Sequence, residues 1–426
     1  MIGLRLIDAR LDERVAQLSP SPTLTSRERA NHLGSEGSRV FKLDLGQSPF
    51  PVPSMVVDAL RASAAEKDYL PIRGLPELRR AVADFHRRRY GIARGEHEVL
   101  IGPGSKELTF LLLYCFHGEF LVPTPAWPSY VAQAHLAGRA LRLLRTDSSH
   151  QYRLHPDGLE RACRSDSGLP RMLVLSYPSN PTGATYPAAE LFEIAEICRR
   201  KGILVLADEI YGELHFQGQH ASIAALYEEG TIVSGGLSKW CGAEGFRLGT
   251  FSFPARLVWL ANAIAAVASE TLSSTNSPIQ YAAVRAFRGG LEVEEYLTRA
   301  RRVLAGLLRW AAALLRRAGI EVVEPAGGFY LFVDFERVRT RLIVRGVRSD
   351  IELAARLLQD LGVSVLPGCR FGMDEGSLHL RLALVDFDGA KALAAANAEV
   401  DEAFLRRHCG PTYEAVQSIA AWLDNA

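Results

Sequence analysis

The sequence has few cysteines, and those it has are widely separated. The six cysteines form no CxxC pair, which argues against a zinc knuckle or a small secreted domain held together by disulfides. We therefore expect a cytoplasmic protein without a bound metal. A long apolar run is also missing. The most apolar stretch, 309–317, is short and has arginine at both ends, so it cannot span a bilayer, and we expect no membrane partner.

An excess of charge of one sign is absent too. The 49 lysines and arginines and the 48 acidic residues leave a formal charge of +1, so no overall field favours nucleic acid. The first twenty residues, MIGLRLIDARLDERVAQLSP, scatter charges and lack the apolar core of a signal peptide. At 426 residues, 48% of them hydrophobic and 23% charged, the chain has the composition of a globular protein and the length for two or three packed units.

Between about residues 99 and 253, short β-rich runs alternate with helical stretches. The runs include VLIGPG, FLVPTP, RMLVLSYP, ILVLADE, TIVSGG and FRLGTFSF. This alternation is typical of crossover units on a mostly parallel sheet whose two faces are covered by helices. In such a sheet the functional groups collect at the carboxyl ends of the strands. The polar residues that follow these runs are therefore the candidate site residues.

The regions on either side of the sheet suggest a division into units. Residues 1–48 are predicted to be an irregular arm with one short helix and part of the small domain. The arm is expected to be irregular because SPSPTLTS and LGSEGS are rich in Pro, Gly and Ser. Residues 49–300 form the predicted large domain. Residues 301–400 are predicted to form a smaller α+β domain, in which IEVVEPAGGFYLFVDF, VSVLPG and LHLRLALV supply strands. The helical segment 292–318 is long enough to join the two domains, and 401–426 is predicted to be a helical tail.

Two places in the sequence suit a phosphate group. Gly104, Ser105 and Lys106 follow VLIG and open a helix, where unpaired N–H groups and the positive helix end favour an anion. The alternative is an ordinary turn with Ser105 as the helix cap. Arg247, in GFRLG, could bind a phosphate with paired hydrogen bonds. Its alternative role is a surface ion pair.

An amine and a carboxylate stand out at other strand ends. Lysine is rare, with six residues against forty-three arginines, and Lys239 follows TIVSGG among small residues. A partly desolvated amine there could form an imine with a carbonyl, although a solvated loop lysine is the alternative. Asp208 ends the apolar strand ILVLAD, and Tyr211 follows it. Such a carboxylate needs a cation, a metal or several donors, and a protonated heterocyclic nitrogen would satisfy it. Otherwise Asp208 is a helix cap and Tyr211 a core residue.

Three further residues are candidates. Asn180 follows RMLVLSYP in a turn, SNPTG, that directs its amide over the sheet edge, although turn-forming asparagines are common. Trp127, between two prolines in PTPAWPSY, is a flat platform for a ring or a packing residue. Arg381 lies inside the apolar strand LHLRLALV, where it could bind a carboxylate or form an ion pair between domains.

The segments that contain these residues, and their order along the chain, resemble those of the class I/II aminotransferases, which are pyridoxal-phosphate enzymes of fold type I. The matching segments are YLPIRGLPELRRAVADF, GPGSKEL, PTPAWPSY, YPSNPTG, ADEIYGELHF, GLSKWCGAEGFRLG and LHLRLAL, with GQSPFPVP and AGGFYLF in support. The likeness runs from about residue 18 to about residue 385. It implies an α/β fold with a mostly parallel seven-stranded sheet in the large domain and a smaller α+β domain.

The resemblance also implies a role for each candidate. Lys239 resembles the Schiff-base lysine, which also moves the substrate proton, and Asp208 resembles the partner of the pyridine nitrogen. Tyr211 and Asn180 correspond to residues that bind the phenolic oxygen of the cofactor. The remaining roles are phosphate binding by Arg247 with Gly104, Ser105 and Lys106, ring stacking by Trp127, and substrate carboxylate binding by Arg381 with Asn180 and Gly46. Tyr69 resembles a tyrosine that reaches the phosphate in the neighbouring subunit, which implies a homodimer with shared active sites.

The sequence departs from the family pattern at several positions. Gly236 stands where many members have a hydroxyl, so Ser238 or Ser234 is expected to take its place at the phosphate. Glu244 stands where a small or apolar residue is usual, and the sequence supplies no account of it. Arg73 is the candidate for a second arginine of the kind that binds a dicarboxylate side chain.

We therefore predict a pyridoxal-phosphate-dependent aminotransferase that moves an amino group from an L-amino acid to a 2-oxo acid in two half-reactions. One alternative is a lyase, a cyclising synthase or an oxidative enzyme of the same fold, similar to aminocyclopropane-carboxylate synthases. Another is a non-catalytic sensor domain of a transcription regulator. The chain does not favour the second, because its first 45 or so residues contain no basic recognition helix.

Overall fold

The alternating runs of the sequence form strands and helices in the predicted order. The computed structural model describes residues 11–424, except for 17, 19, 36, 38, 166, 167 and 398. The strands are β1 (Phe41–Lys42), β2 (Val99–Gly102), β3 (Glu119–Thr124), β4 (Ala140–Arg145), β5 (Arg171–Ser176), β6 (Leu204–Asp208), β7 (Thr231–Gly236), β8 (Gly249–Ser252), β9 (Glu321–Val322), β10 (Tyr330–Asp334), β11 (Val363–Ser364), β12 (Leu366–Pro367) and β13 (His379–Ala383). The helices are α1 (Glu13–Ala16), α2 (Pro22–Ser35), α3 (Ser54–Ala62), α4 (Pro76–Tyr90), α5 (Ser105–Cys115), α6 (Ser129–Leu136), α7 (Pro156–Ala162), α8 (Ala188–Lys201), α9 (Val258–Thr271), α10 (Ser277–Arg288), α11 (Leu291–Arg317), α12 (Arg339–Val344), α13 (Asp350–Leu361), α14 (Gly389–Ala395), α15 (Glu402–His408) and α16 (Gly410–Asp424).

Seven of the strands form one sheet, in the order β2-β8-β7-β6-β5-β3-β4. Strands β3 to β7 pair in parallel, and β8 runs antiparallel to both of its neighbours, β7 and β2. The mostly parallel seven-stranded sheet is therefore confirmed. Because the parallel strands share one carboxyl edge, the residues that follow β2, β3, β5, β6 and β7 meet there.

The apolar strands bury both of their faces. Along β5, Met172 and Val174 pack with α5 and α9, whereas Leu173 and Leu175 pack with α7 and α8 on the other face. This alternation follows from the two-residue period of a strand. A strand covered on both faces has no solvent side, which explains why the runs are continuously apolar instead of alternating with polar residues.

A second, antiparallel sheet has the strand order β12-β13-β10-β9. It supports the predicted strands of the smaller α+β unit. In its centre, Arg381 of β13 lies opposite Phe332 of β10 and Leu366 of β12. The 27-residue helix α11 packs against this sheet and against α14, α15 and α16. The C-terminal segment contains α15 and α16, and α16 ends at Asp424.

The prediction for the N-terminal arm was wrong in one respect. Instead of one short helix, the arm contains α1 and the 14-residue helix α2. Helix α2 begins at Pro22, because proline is tolerated at the first helical position, where the N–H would have no partner. The arm is attached to the small sheet through β1, which pairs with β11, and Ser26 of α2 donates a hydrogen bond to Asp44. Residues 1–10 of the predicted arm lie outside the described residues.

Two further features are absent from the described ranges. No helix there combines the length and the apolarity needed to cross a membrane. The same ranges hold no group of three or more His, Cys, Asp and Glu side chains placed to bind a metal ion.

Candidate active site

A cavity of about 320 Å³ lies at the carboxyl edge of the large sheet. Residues from the sheet edge, the N-terminal arm and the small sheet line it together. They are Ser21, Leu24, Leu45, Gly46, Gln47, Ser105, Lys106, Trp127, Tyr130, Ser176, Asn180, Asp208, Ile210, Tyr211, Ser238, Lys239, Glu244, Arg247, Tyr330 and Arg381. The volume of the cavity and its lining of apolar residues with several polar groups are typical of a small-molecule binding site.

The carboxylate of Asp208 is buried at the end of β6. Tyr130, from the first turn of α6, donates its hydroxyl hydrogen to Asp208 Oδ2, and the Ile210 amide lies 3.4 Å from Oδ1. Burial raises the pKa of Asp208, and the Tyr130 hydrogen bond partly opposes that rise. The groups of the described chain with the largest effects on this pKa are all neutral or anionic. Asp208 is therefore a buried anion that a cationic ligand would stabilise.

The amine of Lys239 lies in the same cavity, three residues after β7 ends at Gly236. Its Nζ donates a hydrogen bond to the Gly46 carbonyl at 2.6 Å and lies 3.7 Å from Glu244 Oε1. The side chain is 17% exposed. A primary amine in this position can be reached by a ligand in the cavity, yet it is shielded from bulk water, as an imine-forming lysine requires.

An anion seat is formed where β2 leads into α5. Gly104 precedes the helix with a φ of 98°, a left-handed conformation that glycine adopts readily. A side chain at Gly104 would place its Cβ 2.3 Å from Arg247 Nη2, so glycine allows the guanidinium to lie against the amino end of α5. Arg247 itself has a φ of 51° and donates from Nη1 to the Glu244 carbonyl at 2.9 Å. The seat therefore combines a helix amino end with a cation.

Arg381 is 1% exposed and projects from β13 into the opposite wall of the cavity. It donates to Asn180 Oδ1 at 3.1 Å and to the Asp44 carbonyl, while its Nε has no hydrogen-bond partner among the described residues. The guanidinium carbon lies 4.6 Å from the centre of the Tyr330 ring. Burial lowers the pKa of this arginine. A buried guanidinium with a free donor is a binding site for a carboxylate.

Two tyrosines connect the sheet edge to the small sheet. Tyr211, after β6, and Tyr330, at the start of β10, are hydrogen-bonded through their hydroxyl groups at 2.8 Å. Burial raises the pKa of Tyr211, so it is a neutral donor or acceptor at physiological pH. Gly46 packs on Tyr330 so closely that a Cβ there would lie 1.7 Å from the hydroxyl oxygen.

The structure brings nearly all of the predicted site residues together. Those that line the cavity are Gly46, Ser105, Lys106, Trp127, Asn180, Asp208, Tyr211, Ser238, Lys239, Arg247 and Arg381. Gly104 lies directly beneath Arg247. Between the two serines considered for the phosphate, Ser238 lines the cavity, whereas Ser234 lies within the sheet beside Asp208.

Two predicted residues lie outside the cavity of this chain. Tyr69 is 87% exposed. Arg73 donates to Asn262 Oδ1 at 2.8 Å and to the His97 carbonyl, and so it contributes no charge to the cavity within the chain. The suggestion that Arg73 is a second substrate-binding arginine gains no support from this position.

Sequence reasoning missed Tyr130 and Tyr330. Tyr130 is in the segment PTPAWPSY, but nothing in that segment indicates a contact with Asp208, 78 residues later in the chain. A buried acidic neighbour, Glu209, was also missed. It lies 3.1 Å from His220 Nε2 and accepts hydrogen bonds from Tyr177 at 3.0 Å and Ser222 at 2.6 Å. These contacts tie the residue after Asp208 to Tyr177 and to the segment 220–222.

The donor set of the cavity fits pyridoxal phosphate. Asp208 is a buried carboxylate on which no cation of the described residues has a leading effect, and it is present for the ring nitrogen. An amine is present for the aldehyde, and a helix amino end with Arg247 for the phosphate. Trp127 lies between the phosphate seat and Tyr130, with its ring 5.3 Å from the Tyr130 ring and 5.4 Å from Lys106 Nζ. The unpaired Nε of Arg381 remains for a carboxylate of a second molecule.

Comparison with known proteins gives a consistent result. The sequence model of the family described as aminotransferase class I and II matches residues 38–396. An aspartate aminotransferase of Geobacillus stearothermophilus is 32% identical over 85% of this chain and 92% of its own length. An asparagine–oxo-acid transaminase of Streptococcus mutans is 29% identical over 86% and 93%. The solved structure of Thermus thermophilus aspartate aminotransferase with maleate superimposes with a TM-score of 0.83 at 26% identity, covering 97% of this chain and 99% of that one.

Proposed function

We propose, from the premise that this chain belongs to the class I and II aminotransferase family, that its cavity transfers an amino group from an L-amino acid to a 2-oxo acid. The protein is an aminotransferase of fold type I. The observation that carries the proposal is the placement of Lys239, Asp208 and Arg381 around one cavity. These residues supply an amine, a buried anion and a carboxylate site, which are the three groups that amino transfer needs.

The cofactor of the proposed reaction is pyridoxal phosphate, which when bound supplies an electron-accepting ring that stabilises negative charge at the substrate α-carbon. Lys239 would hold it covalently, and Asp208 would accept a hydrogen bond from its ring nitrogen. Trp127 would pack against the ring. Asn180 and Tyr211 would bind the phenolic oxygen. The phosphate is held by Ser238, by Arg247 and by the N–H groups at the start of α5, where Gly104, Ser105 and Lys106 lie.

Asp208 would keep a proton on the ring nitrogen because its charge is buried. A carboxylate shielded from water interacts more strongly with a nearby cation than an exposed one does. The hydrogen bond from Tyr130 favours the ionised form of Asp208 against the opposing effect of burial. Tyr130 is therefore proposed to position Asp208 and to keep it charged.

Replacing Tyr130 with phenylalanine should raise the pKa of Asp208 and lower turnover. Loss of a hydrogen bond to a charged group costs about 1.5–3 kcal/mol, which corresponds to a fall in kcat of about 10- to 100-fold. The measurement is kcat and KM for one donor across a pH series, in which the acidic limb of the kcat profile should move to higher pH. An unchanged acidic limb would contradict the assigned role. Tyr114→Phe, at a half-exposed position on α5, is the matched control.

Lys239 is proposed to move the substrate proton as well as to hold the cofactor. Lys239 Nζ would take the proton from the α-carbon of the donor and return a proton before the 2-oxo acid leaves. The Gly46 carbonyl, 2.6 Å away, orients the amine. The same groups then act in reverse on the 2-oxo acid acceptor, giving two half-reactions.

Arg381, with Asn180 and the backbone at Gly46, is proposed to bind the substrate α-carboxylate. Arg381→Leu should raise KM for amino acids and oxo acids alike by about 10²-fold or more, because a buried charged hydrogen-bond pair is lost. The check is steady-state kinetics with donor and acceptor varied in turn. A KM change for the donor alone would contradict a site shared by both substrates.

We propose that the active enzyme is a cytoplasmic homodimer. Tyr69, which is exposed in one chain, is then free to contact the phosphate in the neighbouring subunit. The cytoplasmic assignment rests on the six cysteines, none of which is in a disulfide. Sedimentation analysis with and without Tyr69→Phe would test the dimer separately from the tyrosine contact.

The half-reaction of the purified enzyme with a single amino acid tests the proposed function. Without an acceptor, we expect one equivalent of 2-oxo acid for each site, with the amino nitrogen retained by the protein. Release of ammonia or formation of a cyclic product, with no retained nitrogen, would instead indicate the lyase, oxidative or cyclising alternative.

A further inference from the structure

Glu244 is a carboxylate in the cavity to which the proposed transfer reaction gives no role. Its side chain is 18% exposed, and its Oε1 accepts a hydrogen bond from the Ser48 amide at 2.6 Å. The same oxygen lies 3.7 Å from Lys239 Nζ. Burial raises the pKa of Glu244, and Lys239 partly opposes that rise. A second acidic group thus stands beside the reacting amine.

Three charged side chains form hydrogen bonds with successive backbone groups of the arm segment 44–48. Arg381 donates to the carbonyl of Asp44, Lys239 donates to the carbonyl of Gly46, and Glu244 accepts from the amide of Ser48. Leu45, Gly46 and Gln47, between these points, line the cavity. A ligand that lies along this segment therefore meets a guanidinium first, the amine next and a carboxylate last.

This order corresponds to the parts of an amino acid. With its α-carboxylate on Arg381 and its α-carbon beside Lys239, a donor has its side chain directed towards Glu244. We propose that Glu244 determines specificity by binding the cationic nitrogen of a basic side chain, so that the preferred donor is a basic amino acid. This inference rests on the proposed function, because it takes Arg381 as the α-carboxylate site.

The charges of the cavity support a basic side chain over an acidic one. Its cations are Lys106, Lys239, Arg247 and Arg381, and each already has a place in cofactor or α-carboxylate binding. Glu244 is the charged residue of the cavity that has no such role. The acidic side chain of a donor would therefore lie beside a group of the same charge. Leu24 and Leu45 supply apolar surface for the methylene groups of a long side chain.

The groups facing Glu244 also change during the reaction. Besides Lys239, the groups that face Glu244 are Cys241, Tyr211, Tyr296 and Arg247. The charge of Glu244 raises the pKa values of the cysteine and of both tyrosines. Arg247 donates a hydrogen bond to the backbone carbonyl of Glu244. Lys239 is the one cation of this set that contacts the carboxylate among the described residues. To take the α-proton, Lys239 must be a neutral amine without an ammonium charge, and the cation of a donor side chain would then pair with Glu244.

Binding measurements test this role separately from turnover. Amino acids that carry a methyl group in place of the α-hydrogen can bind but cannot lose a proton, so the cofactor absorbance reports their dissociation constants. We would measure 2-methylornithine, 2-methylleucine and 2-methylaspartate with the wild type, Glu244→Gln, Glu244→Ala and the control Glu295→Gln. Glu295 is an exposed residue of α11, 3.8 Å from Arg299. Half-reaction rates with L-ornithine, L-leucine and L-aspartate complete the set.

For the wild type we expect the tightest binding and the fastest half-reaction with the basic compounds, and the weakest with the acidic ones. Both Glu244 variants should bind 2-methylornithine about 10- to 100-fold more weakly, because a charged hydrogen bond is lost. Their binding of 2-methylleucine should change by less than about threefold. The control should behave as the wild type.

Two results would overturn the inference. One is a wild-type preference for L-aspartate over L-ornithine. The other is an equal loss of all three ligands in the Glu244 variants, which would mean that Glu244 serves Lys239 alone. Failure of every amino acid to give a 2-oxo acid would contradict the proposed function instead, and the dissociation constants would still decide the role of Glu244. If the variants do not fold, the wild-type order of donors decides it.

Discussion

Lys239→Ala is expected to lose turnover by about 10⁴-fold or more. The variant lacks both the covalent attachment and the group that moves the α-proton, and general acid–base catalysis alone accounts for about 10²- to 10⁴-fold. Cofactor binding should persist, although more weakly, because Arg247, the start of α5 and Asp208 are unchanged. The measurements are the single-turnover rate with a reactive donor and the cofactor dissociation constant.

Lys201→Ala is the matched control for this prediction. Lys201 is exposed at the end of α8, far from the cavity lining, so its removal should leave both quantities unchanged. Turnover by Lys239→Ala at more than a few per cent of the wild-type rate would mean that another group performs the proton transfer. The assignment of Lys239 as the proton-moving residue would then be wrong.

Asp208→Asn is expected to lower kcat by about 10²- to 10³-fold, the usual range for removal of one group that stabilises charge in a transition state. The amide keeps the shape of the side chain but carries no charge, so it cannot hold a proton on the ring nitrogen. The variant should bind the cofactor through Lys239 and the phosphate seat, yet remove the substrate α-hydrogen slowly. A deuterium effect on the single-turnover rate identifies the slowed step.

Although Asp208→Asn lowers kcat, it should increase the stability of the cofactor-free protein relative to the wild type. Burial raises the pKa of Asp208 above its usual value of 3.8, so the folded protein binds this proton more tightly than the unfolded chain does. The wild type therefore loses stability relative to Asp208→Asn as the pH rises above about 4. Thermal unfolding of both cofactor-free proteins between pH 4 and 7 measures the difference. A wild type that gains stability relative to the variant over this range would contradict the inferred cost of the buried charge.

The sequence was sufficient to predict that these residues share a cavity, because a parallel sheet collects distant residues by a simple rule. Lys239, Asp208 and Asn180 each follow an apolar run, and consecutive parallel strands place such residues at one edge. Gly104 was expected only to open a helix after VLIG, and its positive φ, which glycine adopts readily, is a finding of the structure. Arg381 was conspicuous because a charge inside an apolar strand needs a partner.

Other features depend on packing between distant segments, which local patterns do not encode. Tyr130 and Tyr330 look like core aromatic residues in the sequence, and only the approach of α6 to β6 and of β10 to the arm brings them to the cavity. Helix α2 was missed because Pro and Ser are usual in loops, whereas here proline lies at a helix start. Glu244 attracted notice as a departure, but its meaning depends on the arm segment that supplies Ser48.

The central claim is that Lys239 holds the cofactor. It is tested most directly by borohydride reduction of the enzyme purified with pyridoxal phosphate, followed by proteolysis and mass spectrometry of the peptides. We expect one pyridoxyl group per chain, on the peptide that contains Lys239, and none on the other five lysines. A label on Lys106 or another lysine, or no stable label in an enzyme that is active before reduction, would contradict the claim.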